Sequence, residues 1–249
     1  MSRLDWLTAR PIAHRGYHDS RAGCVENTLP AAAAAIERGF GIECDLRLGA
    51  DGAVVVFHDE TLDRLTFETG AIRHKTLDEL KAARFRDGEA RIPTLEALLD
   101  VIDGRVPLLA ELKSDWSGVR DLEVAAAHIL AEYVGPVAVL SFDPASMAAM
   151  RRLAPALPRG LITDGFARDR WPSLSAATRV FNRALLSAPR VLPSFVACGI
   201  AARPGMAPLI LRHVLGLPVL AWTVASEADR AVVSRWADQI VFEGFDPGD

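Results

Sequence analysis

Three carboxylates at the ends of apolar segments could bind a metal ion. They are Glu43, Asp45 and Glu111. Glu43 and Asp45 lie two positions apart, so both side chains fall on the same face of a β-strand. Converging carboxylates repel one another unless a cation joins them, and an all-oxygen set suits Mg²⁺ or Ca²⁺ better than zinc. We therefore expect a divalent cation, Mg²⁺ or Ca²⁺, at these residues; the alternative is a solvated or arginine-paired acidic cluster.

Two histidines in similar positions could transfer protons. His14 and His58 each end an apolar segment. Imidazole titrates near neutral pH, so it can both accept and return a proton during a displacement reaction. A single histidine is more often structural, but two beside an acidic cluster favour a catalytic acid and base. The residue types do not indicate which histidine plays which part.

Two basic residues next to these groups could hold an anion. Arg15 and Lys113 supply a guanidinium and an ammonium group, which commonly bind phosphate oxygens beside a divalent ion. A salt bridge from Arg15 to Glu26 or Glu43 is an alternative that is compatible with phosphate contact. The expected ligand is a phosphate mono- or diester. Trp222, near the end of a late segment, either contacts an organic substituent of the substrate or fills the core.

The elements that must position these residues follow a regular alternation. Segments with the composition of β-strands alternate with helix-like segments, as in parallel sheets with helical connections. The predicted strands are 11–14, 41–45, 54–58, 107–112, 137–141, 160–163, 194–198, 219–223 and 239–242. The predicted helices are 31–38, 80–84, 95–102, 122–133, 144–153, 175–187, 206–215 and 228–237. This repetition predicts an α/β fold, a (β/α)₈ TIM barrel, in which functional side chains lie at the C-terminal ends of the strands.

One connection departs from the alternation. The segment 46–53 is too short for a helix and contains Asp51-Gly52, a tight-turn sequence. We interpret 45–58 as a β-hairpin whose second arm is an additional, ninth strand. The polar segment 60–93 then forms a small insertion. We expect a single TIM-barrel domain, 1–249, with this insertion at about 60–93.

The composition excludes several classes of protein. The 249 residues are 50% hydrophobic, with 28 basic and 32 acidic side chains and a formal net charge of −4. These values are typical of a globular protein and not of a disordered or fibrous one. The slightly acidic balance argues against nucleic acid as a partner, because binding it without sequence preference needs clustered basic residues. We expect a small-molecule substrate, and the sequence leaves the oligomeric state open.

The sequence also bears on the compartment. Residues 1–10 contain no apolar stretch of signal-peptide length, so we expect no secretion signal. The most apolar late segment, 208–225, is interrupted by charged residues, glycine and proline, so we expect no transmembrane segment. Cys24, Cys44 and Cys198 are an odd number of cysteines at unrelated spacings, which suits a reducing compartment. A cytoplasmic protein is expected.

Five short motifs follow one another along the first half of the chain. They are His14-Arg15-Gly16, Glu26-Asn27-Thr28, Glu43-x-Asp45, His58-Asp59-Glu60-Thr61-Leu62-Asp63-Arg64 and Glu111-x-Lys113. In order and spacing they resemble the glycerophosphodiester phosphodiesterase family, with Pro93-Thr94-Leu95-Glu96 and Ala221-Trp222-Thr223 as weaker similarities. The resemblance implies a (β/α)₈ barrel with a small insertion after the third strand. It also implies cation-dependent hydrolysis of glycerophosphodiesters, such as glycerophosphocholine or glycerophosphoethanolamine, to sn-glycerol 3-phosphate and an alcohol.

The same resemblance implies a role for each site residue. His14 and His58 would be the acid/base pair. The metal ligands would be Glu43, Asp45 and Glu111, and the phosphate contacts Arg15 and Lys113. The segment 26–28 would shape the site and begin a helix.

Three other functions compete with this interpretation. The first is a related barrel phosphodiesterase that acts on a lysophospholipid or sphingolipid headgroup. The second is a non-catalytic phosphate-binding barrel, and the third is a barrel hydrolase of unrelated chemistry. The late segment 241–244 departs from the family's usual Thr-Asp ending, which predicts a difference in the organic part of the substrate rather than in phosphodiester cleavage.

Overall fold

A computed structural model describes residues 4–202 and 205–248 of the chain. By its contacts the chain divides into two compact units. The N-terminal unit is Ala13–Val137, and the C-terminal unit combines Met1–Ile12 with Ala138–Asp249. The expectation of a single domain over 1–249 stays a prediction, and so does the absence of a secretion signal at 1–10, of which residues 1–3 lie outside the described part.

The strands and helices of the chain, numbered in order, alternate as the sequence predicts. The strands are β1 (Ile12–Ala13), β2 (Gly41–Leu48), β3 (Val54–Val56), β4 (Leu108–Leu112), β5 (Val137–Ser141), β6 (Arg159–Thr163), β7 (Phe195–Gly199), β8 (Val219–Val224) and β9 (Gln239–Phe242). The helices are α1 (Asp5–Ala9), α2 (Leu29–Glu37), α3 (Leu77–Ala82), α4 (Leu95–Ile102), α5 (Asp121–Ala131), α6 (Pro144–Leu153), α7 (Ala176–Arg183), α8 (Ala188–Val191), α9 (Met206–Leu215) and α10 (Glu227–Val233). Eight strands belong to the (β/α)₈ barrel and β3 is the additional one, so the predicted fold class is confirmed.

In the N-terminal unit, β2 is the strand around which the others are arranged. It pairs parallel with β4, with Asp45 beside Glu111, and antiparallel with β3, with Leu46 opposite Val56. The Phe57 amide continues this pairing and donates to the Asp45 carbonyl at 2.9 Å. The predicted hairpin is therefore confirmed, and it returns the chain at His58 to the part of β2 that carries the acidic residues.

Close approach of the chain at Gly16 explains why the loop after β1 needs glycine. Gly16 has φ +80°, and a Cβ there would lie 2.8 Å from the Ala31 carbonyl carbon. The Tyr17 amide donates to the Ala31 carbonyl at 2.9 Å, so the loop is bonded directly to the first turn of α2. Thr28 caps that helix, because its hydroxyl accepts from the Ala31 amide. Sequence motifs 14–16 and 26–28 are therefore fixed against each other.

The insertion is polar in composition but carries an apolar cluster of its own. Leu62, Ile72, Leu80 and Ile92 are almost fully buried there, together with Val25 from the loop before α2. Thr76 and Glu79 form a capping box, so α3 begins at Leu77 rather than at residue 80 as predicted. Burial of these side chains anchors the insertion to the loop that carries motif 26–28.

The C-terminal unit contains parallel strands in sequential order. Each of β6, β7 and β8 pairs with its neighbours along the chain, from β5 to β9. The predicted helix 175–187 is shorter in the structure and ends at Arg183, because Leu185 has φ +50°; a separate short helix then begins at Ala188. Helix α1, which the sequence analysis did not predict, has only one buried residue, Leu7.

None of the helices within residues 4–202 and 205–248 has the length and apolar character to cross a bilayer. The apolar segment 208–225 divides instead between α9 and β8.

Candidate active site

The three predicted metal ligands converge in the N-terminal unit. Oxygen atoms of Glu43, Asp45 and Glu111 all lie within 4.8 Å of one another. These side chains are 4%, 0% and 8% exposed, so the cluster is buried. Strand alternation aligns Glu43 with Asp45 on one face of β2, and the parallel register sets Glu111 of β4 beside Asp45.

Two basic residues are in direct contact with this cluster. The Lys113 ammonium Nζ lies 2.8 Å from Asp45 Oδ1 and 2.8 Å from Glu111 Oε1. Arg15 Nε lies 3.3 Å from Asp45 Oδ2, and the Arg15 amide donates to Glu43 Oε2 at 3.1 Å. The cations and carboxylates therefore share one buried site.

The three carboxylic acids of this cluster have shifted pKa values, two raised and one lowered. Burial, followed by repulsion from Asp45 and Glu111, raises the pKa of Glu43 well above its usual value. Burial also raises the pKa of Glu111, against the attraction of Lys113. For Asp45, burial acts in the same direction, but Lys113 and Arg15 outweigh it and hold the pKa well below its usual range. Asp45 is therefore the member of the cluster that ionises most readily.

A divalent cation fits this donor set. Carboxylate oxygens are the ligands that Mg²⁺ and Ca²⁺ prefer. The pKa of Glu43 is raised by burial and then by repulsion from Asp45 and Glu111, and a bound cation would relieve that repulsion. The expected convergence of Glu43, Asp45 and Glu111 is present.

The two candidate catalytic histidines border the cluster differently. His14 directly follows β1, and its Nε2 lies 3.9 Å from Glu43 Oε2. His58 follows β3, and its Nδ1 lies 2.6 Å from Asp59 Oδ1. Burial and then the charge of Lys113 lower the pKa of His58 to about 4. His58 is therefore neutral at pH 7, and a proton on Nδ1, donated to Asp59, leaves Nε2 as the acceptor.

Asn27 is a site residue to which the sequence analysis gave no contact. Its Nδ2 donates to Asp45 Oδ2 at 2.7 Å, and its Oδ1 accepts from the Asp45 amide at 3.2 Å. The Asn27 amide donates to the Arg15 carbonyl at 2.9 Å, and Asn27 itself has φ 58°. Asparagine tolerates this left-handed conformation better than most residues. The signal was the motif 26–28, which located Asn27 in the loop but did not reveal its partner.

Arg64 is the second site residue that sequence reasoning left without a role. Its guanidinium bonds to Asp59 and to Glu26, two residues of different motifs. Glu26 Oε1 also lies 2.6 Å from Arg15 Nη1, so the salt bridge considered from the sequence is present. The signal in the sequence that could have identified Arg64 is its place at the end of the motif that begins with His58.

Trp222 lies in β8 of the C-terminal unit. Its ring meets the Phe142 ring edge-on, with centroids 5.4 Å apart, and Phe142 also packs on Trp171 at 4.9 Å. The Trp171 Nε1 donates to the buried Asp164 carboxylate at 3.0 Å. Trp222 is thus part of an aromatic cluster at the ends of β5, β6 and β8, and its contact with substrate stays a prediction.

A cavity of about 300 Å³ in the N-terminal unit shares Lys113 with the candidate site. Lys113 is one of its lining residues, and the others include Arg47, Glu60, Ile72 and Asp115. The Arg47 Nε donates to the His58 carbonyl at 2.8 Å, so this wall is bonded to the loop that carries His58. The cavity has a mixed polar and apolar lining and the size of a small ligand.

Known proteins that are similar to this chain in sequence or in fold are phosphodiesterases by name. A glycerophosphodiester phosphodiesterase of Caldanaerobacter subterraneus subsp. tengcongensis is 37% identical over 161 residues, which are 61% of this chain and 65% of that relative. The match thus spans less than two thirds of the relative's length. A phosphodiesterase of Oleispira antarctica, solved with its product sn-glycerol 3-phosphate, has a TM-score of 0.76 at 24% identity over 94% of this chain and 92% of its own. A glycerophosphodiester phosphodiesterase of Thermotoga maritima has a TM-score of 0.71 at 25% identity over 94% of each chain.

Family membership follows from a match over almost the whole chain. Residues 14–243 match the sequence profile of the Glycerophosphoryl diester phosphodiesterase family. The matched region includes every residue of the carboxylate cluster, both histidines, both basic residues and Trp222. The chain belongs to the Glycerophosphoryl diester phosphodiesterase family.

Proposed function

We propose that this chain hydrolyses glycerophosphodiesters to sn-glycerol 3-phosphate and an alcohol, in a reaction that depends on Mg²⁺ or Ca²⁺. The observation that carries the proposal is the buried cluster of three carboxylates within 4.8 Å, in contact with Lys113 and Arg15 and bordered by two histidines. Family membership and the names of the relatives support the same reaction.

Glu43, Asp45 and Glu111 would hold the divalent cation. When bound, the cation supplies Lewis-acid polarisation of the phosphoryl group. Asn27 orients Asp45 by two hydrogen bonds, and the Arg15 amide orients Glu43 by one. Such support of the ligands by neighbouring donors fixes their geometry before substrate arrives.

Arg15 and Lys113 would bind the phosphate oxygens. Burial lowers the pKa of Lys113, but Asp45 and Glu111 outweigh it and raise the pKa, so the ammonium stays charged. Arg15 behaves in the same way, because the nearby carboxylates outweigh its burial and raise its pKa. Both cations are therefore available to stabilise negative charge that grows on the phosphoryl oxygens.

His58 would act as the base and His14 as the acid. Neutral His58 accepts the proton of the nucleophile at Nε2 while Asp59 holds Nδ1–H. The nucleophile is water or the neighbouring glycerol hydroxyl, and its oxygen forms the new bond to phosphorus. The bond from phosphorus to the alcohol oxygen breaks, and His14 donates the proton that the departing alkoxide needs. A glycerol hydroxyl as nucleophile gives a cyclic phosphate, which water then opens.

The cavity lined by Lys113 is proposed to take a small alcohol, the second half of the substrate. Its volume of about 300 Å³ accommodates a headgroup such as ethanolamine or choline. Trp222 is proposed to contact the organic part of the substrate, which its position at the end of β8 favours.

A reducing compartment, the cytoplasm, is proposed for the protein. All three cysteines, Cys24, Cys44 and Cys198, are free thiols, and Cys44 and Cys198 are buried. Disulfides persist in oxidising compartments and are rare in the cytosol. The single-domain organisation over 1–249 is part of the same proposal.

The test is product release from defined substrates. Purified protein is stripped with chelator and given Mg²⁺ or Ca²⁺ separately, with glycerophosphocholine or glycerophosphoethanolamine as substrate. We expect the protein to release sn-glycerol 3-phosphate. Chelator should abolish this release, and added cation should restore it. A transient cyclic phosphate, followed by ³¹P NMR, identifies the glycerol hydroxyl as nucleophile. Absence of release from folded, cation-loaded protein contradicts the proposal, and turnover of lysophospholipid instead would identify the competing phosphodiesterase.

A further inference from the structure

We propose that Arg64 is a positioning residue that couples the catalytic base His58 to the phosphate contact Arg15, through Asp59 and Glu26. The inference rests on the proposed function. It assigns a role to the end of the motif that begins at His58, which the reaction described above does not use.

On one side, Arg64 fixes the carboxylate that orients His58. Arg64 Nε donates to Asp59 Oδ2 at 2.5 Å, and Nη2 donates to Asp59 Oδ1 at 3.1 Å. Asp59 Oδ1 in turn lies 2.6 Å from His58 Nδ1. Because both carboxylate oxygens are held, the Asp59 plane has one orientation, and the His58 ring that donates to it has one tautomer and one direction for Nε2.

On the other side, the same guanidinium fixes the carboxylate that orients Arg15. Arg64 Nη2 donates to Glu26 Oε1 at 2.7 Å and Nη1 donates to Glu26 Oε2 at 3.0 Å. Glu26 Oε1 also accepts from Arg15 Nη1 at 2.6 Å. Arg15 is then held from two directions, since its Nε faces Asp45 of the metal cluster.

The resulting chain of contacts alternates in charge. It runs from His58 through Asp59, Arg64 and Glu26 to Arg15. Two guanidinium groups and two carboxylates alternate along it, so the chain adds no net charge to the site. Arg64 is the central member, bonded to both carboxylates.

The apolar cluster of the insertion explains how this geometry is held. Leu62, two residues before Arg64, is 1% exposed, and Val25, directly before Glu26, is 3% exposed. Both belong to one cluster, so the backbones that carry Arg64 and Glu26 are anchored to the same core. The two side chains, 38 positions apart in sequence, are therefore preorganised rather than brought together by chance on a mobile surface.

Lysine is not equivalent to arginine in this position. Arg64 makes two fork-shaped contacts with two carboxylates at once, which the planar guanidinium allows. An ammonium group supplies the charge but not both forks. Since the Arg64 side chain is 46% exposed, substitution leaves no buried hole and is expected to keep the fold.

The kinetic test compares R64M and R64K with the wild type and with R91M. Arg91 is an exposed arginine of the same insertion, and its guanidinium donates to the Glu89 and Ala90 carbonyls, so R91M is the matched control. We expect R64M to lower kcat and raise KM, with kcat/KM reduced about ten- to hundredfold, and R64K to lie between R64M and the wild type. D59N is expected to lower mainly kcat, and E26Q to raise mainly KM.

A double-mutant cycle separates positioning from general destabilisation. In an H58A background, R64M should lower kcat no further, because the group through which it acts is absent. Full additivity of R64M with H58A in kcat, or R64M kinetics equal to those of R91M, would overturn the coupling.

A spectroscopic readout keeps the inference testable without turnover. The ¹⁵N shifts of the His58 imidazole in cation-loaded protein should report a protonated Nδ1 in the wild type and a mixture of tautomers in R64M. This experiment distinguishes two failures. If wild-type protein has no phosphodiesterase activity but the tautomer still depends on Arg64, the proposed function fails and the positioning role stands. If the tautomer in R64M is unchanged, the positioning role fails whatever the activity.

Discussion

Without cation, the variant E43Q should be more stable than the wild type. Cation should then stabilise the wild type and have little effect on E43Q. Glu43 is buried among carboxylates, and burial with repulsion from Asp45 and Glu111 raises its pKa well above the usual 4.5. Two unit charges at the outer limit of 4.8 Å repel by about 3.5 kcal/mol at an effective dielectric constant of about 20. Glutamine has nearly the same shape, carries no charge, and its Oε1 can still accept from the Arg15 amide.

The size of the effect follows from the cost of protonating Glu43. A carboxylic acid kept neutral in the folded state costs about 1.4 kcal/mol for each pH unit above its unfolded pKa. Because burial and repulsion raise the folded pKa of Glu43 above 4.5, this cost makes folding less favourable as pH rises above 4.5 in the absence of cation. The folded state holds the extra proton, so wild-type stability without cation falls as pH rises from 4.5 to the raised pKa. E43Q lacks this loss and should be more stable by about 1–3 kcal/mol, or roughly 2–12 °C in Tm.

Cation should act in the opposite direction. A ligand at a hundred times its Kd stabilises a folded protein by about 2.7 kcal/mol. Wild-type protein should gain this stabilisation from Mg²⁺ or Ca²⁺, and E43Q should gain little because one ligand oxygen has lost its charge. The assay is thermal unfolding from pH 5 to pH 8, in chelator and in excess cation. E89Q, at an exposed glutamate of the insertion, is the matched control.

Two results would refute this reasoning. One is an E43Q protein that is less stable than wild type in chelator at pH 7, since the repulsion would then be absent. The other is an equal gain in Tm on adding cation to both proteins, since Glu43 would then not be a ligand.

Four further predictions concern single residues of the N-terminal unit. H58A should keep cation binding, measured by calorimetry, and lose about 10²–10⁴ in kcat, the usual contribution of a positioned base; a smaller loss would indicate a structural role. K113M should raise KM for the phosphodiester about ten- to hundredfold in steady-state kinetics, because a charged hydrogen bond to substrate contributes about 1.5–3 kcal/mol; an unchanged KM would exclude Lys113 as a phosphate contact. Burial raises the pKa of Asp59, but Arg64 and His58 outweigh it and lower the pKa to about 2. The stability that ionised Asp59 contributes to the folded protein is therefore lost as pH falls from 3.8 towards 2. Acid unfolding followed by circular dichroism should therefore be less steep for D59N than for wild type, and equal slopes would contradict the pairing. Gly16→Ala should lower the free energy of unfolding in urea by more than about 1 kcal/mol, because its Cβ would lie 2.8 Å from the Ala31 carbonyl carbon; a neutral effect would show that the loop can shift.

The sequence was sufficient to predict the residues that strands bring together. Glu43 and Asp45 share a face because strand side chains alternate, and Glu111 joins them because parallel strands end at one edge. The hairpin was predictable from Asp51-Gly52 between two apolar segments. The alternation of side chains along the strands was thus sufficient to identify the three residues of the acidic cluster.

Contacts made by loops were not predictable in the same way. The bonds from Arg64 to Glu26 span 38 positions and depend on how the insertion folds over Leu62, for which no short-range pattern exists. The contact between Asn27 and Asp45 depends on a left-handed backbone at Asn27. Loop geometry is set by burial of a few apolar residues, and no periodic signal encodes it.

Helix boundaries show a related limit. The segment 175–187 reads as one helix, but Leu185 adopts a left-handed conformation and the chain turns there. Helix α1 is only five residues long, which is too short for a periodic pattern. Local propensity is weak in both places, and tertiary contacts decide the outcome.

The central claim is that Glu43, Asp45 and Glu111 bind the cation on which phosphodiester hydrolysis depends. The most direct measurement titrates chelator-stripped protein with Mg²⁺ or Ca²⁺ and records bound cation and release of sn-glycerol 3-phosphate in the same samples. We predict that activity starts near zero, rises with bound cation, and reaches its plateau at a single cation per chain, whereas E43Q neither binds nor recovers. Full activity in the stripped protein, or recovery of E43Q along the wild-type curve, would contradict the account.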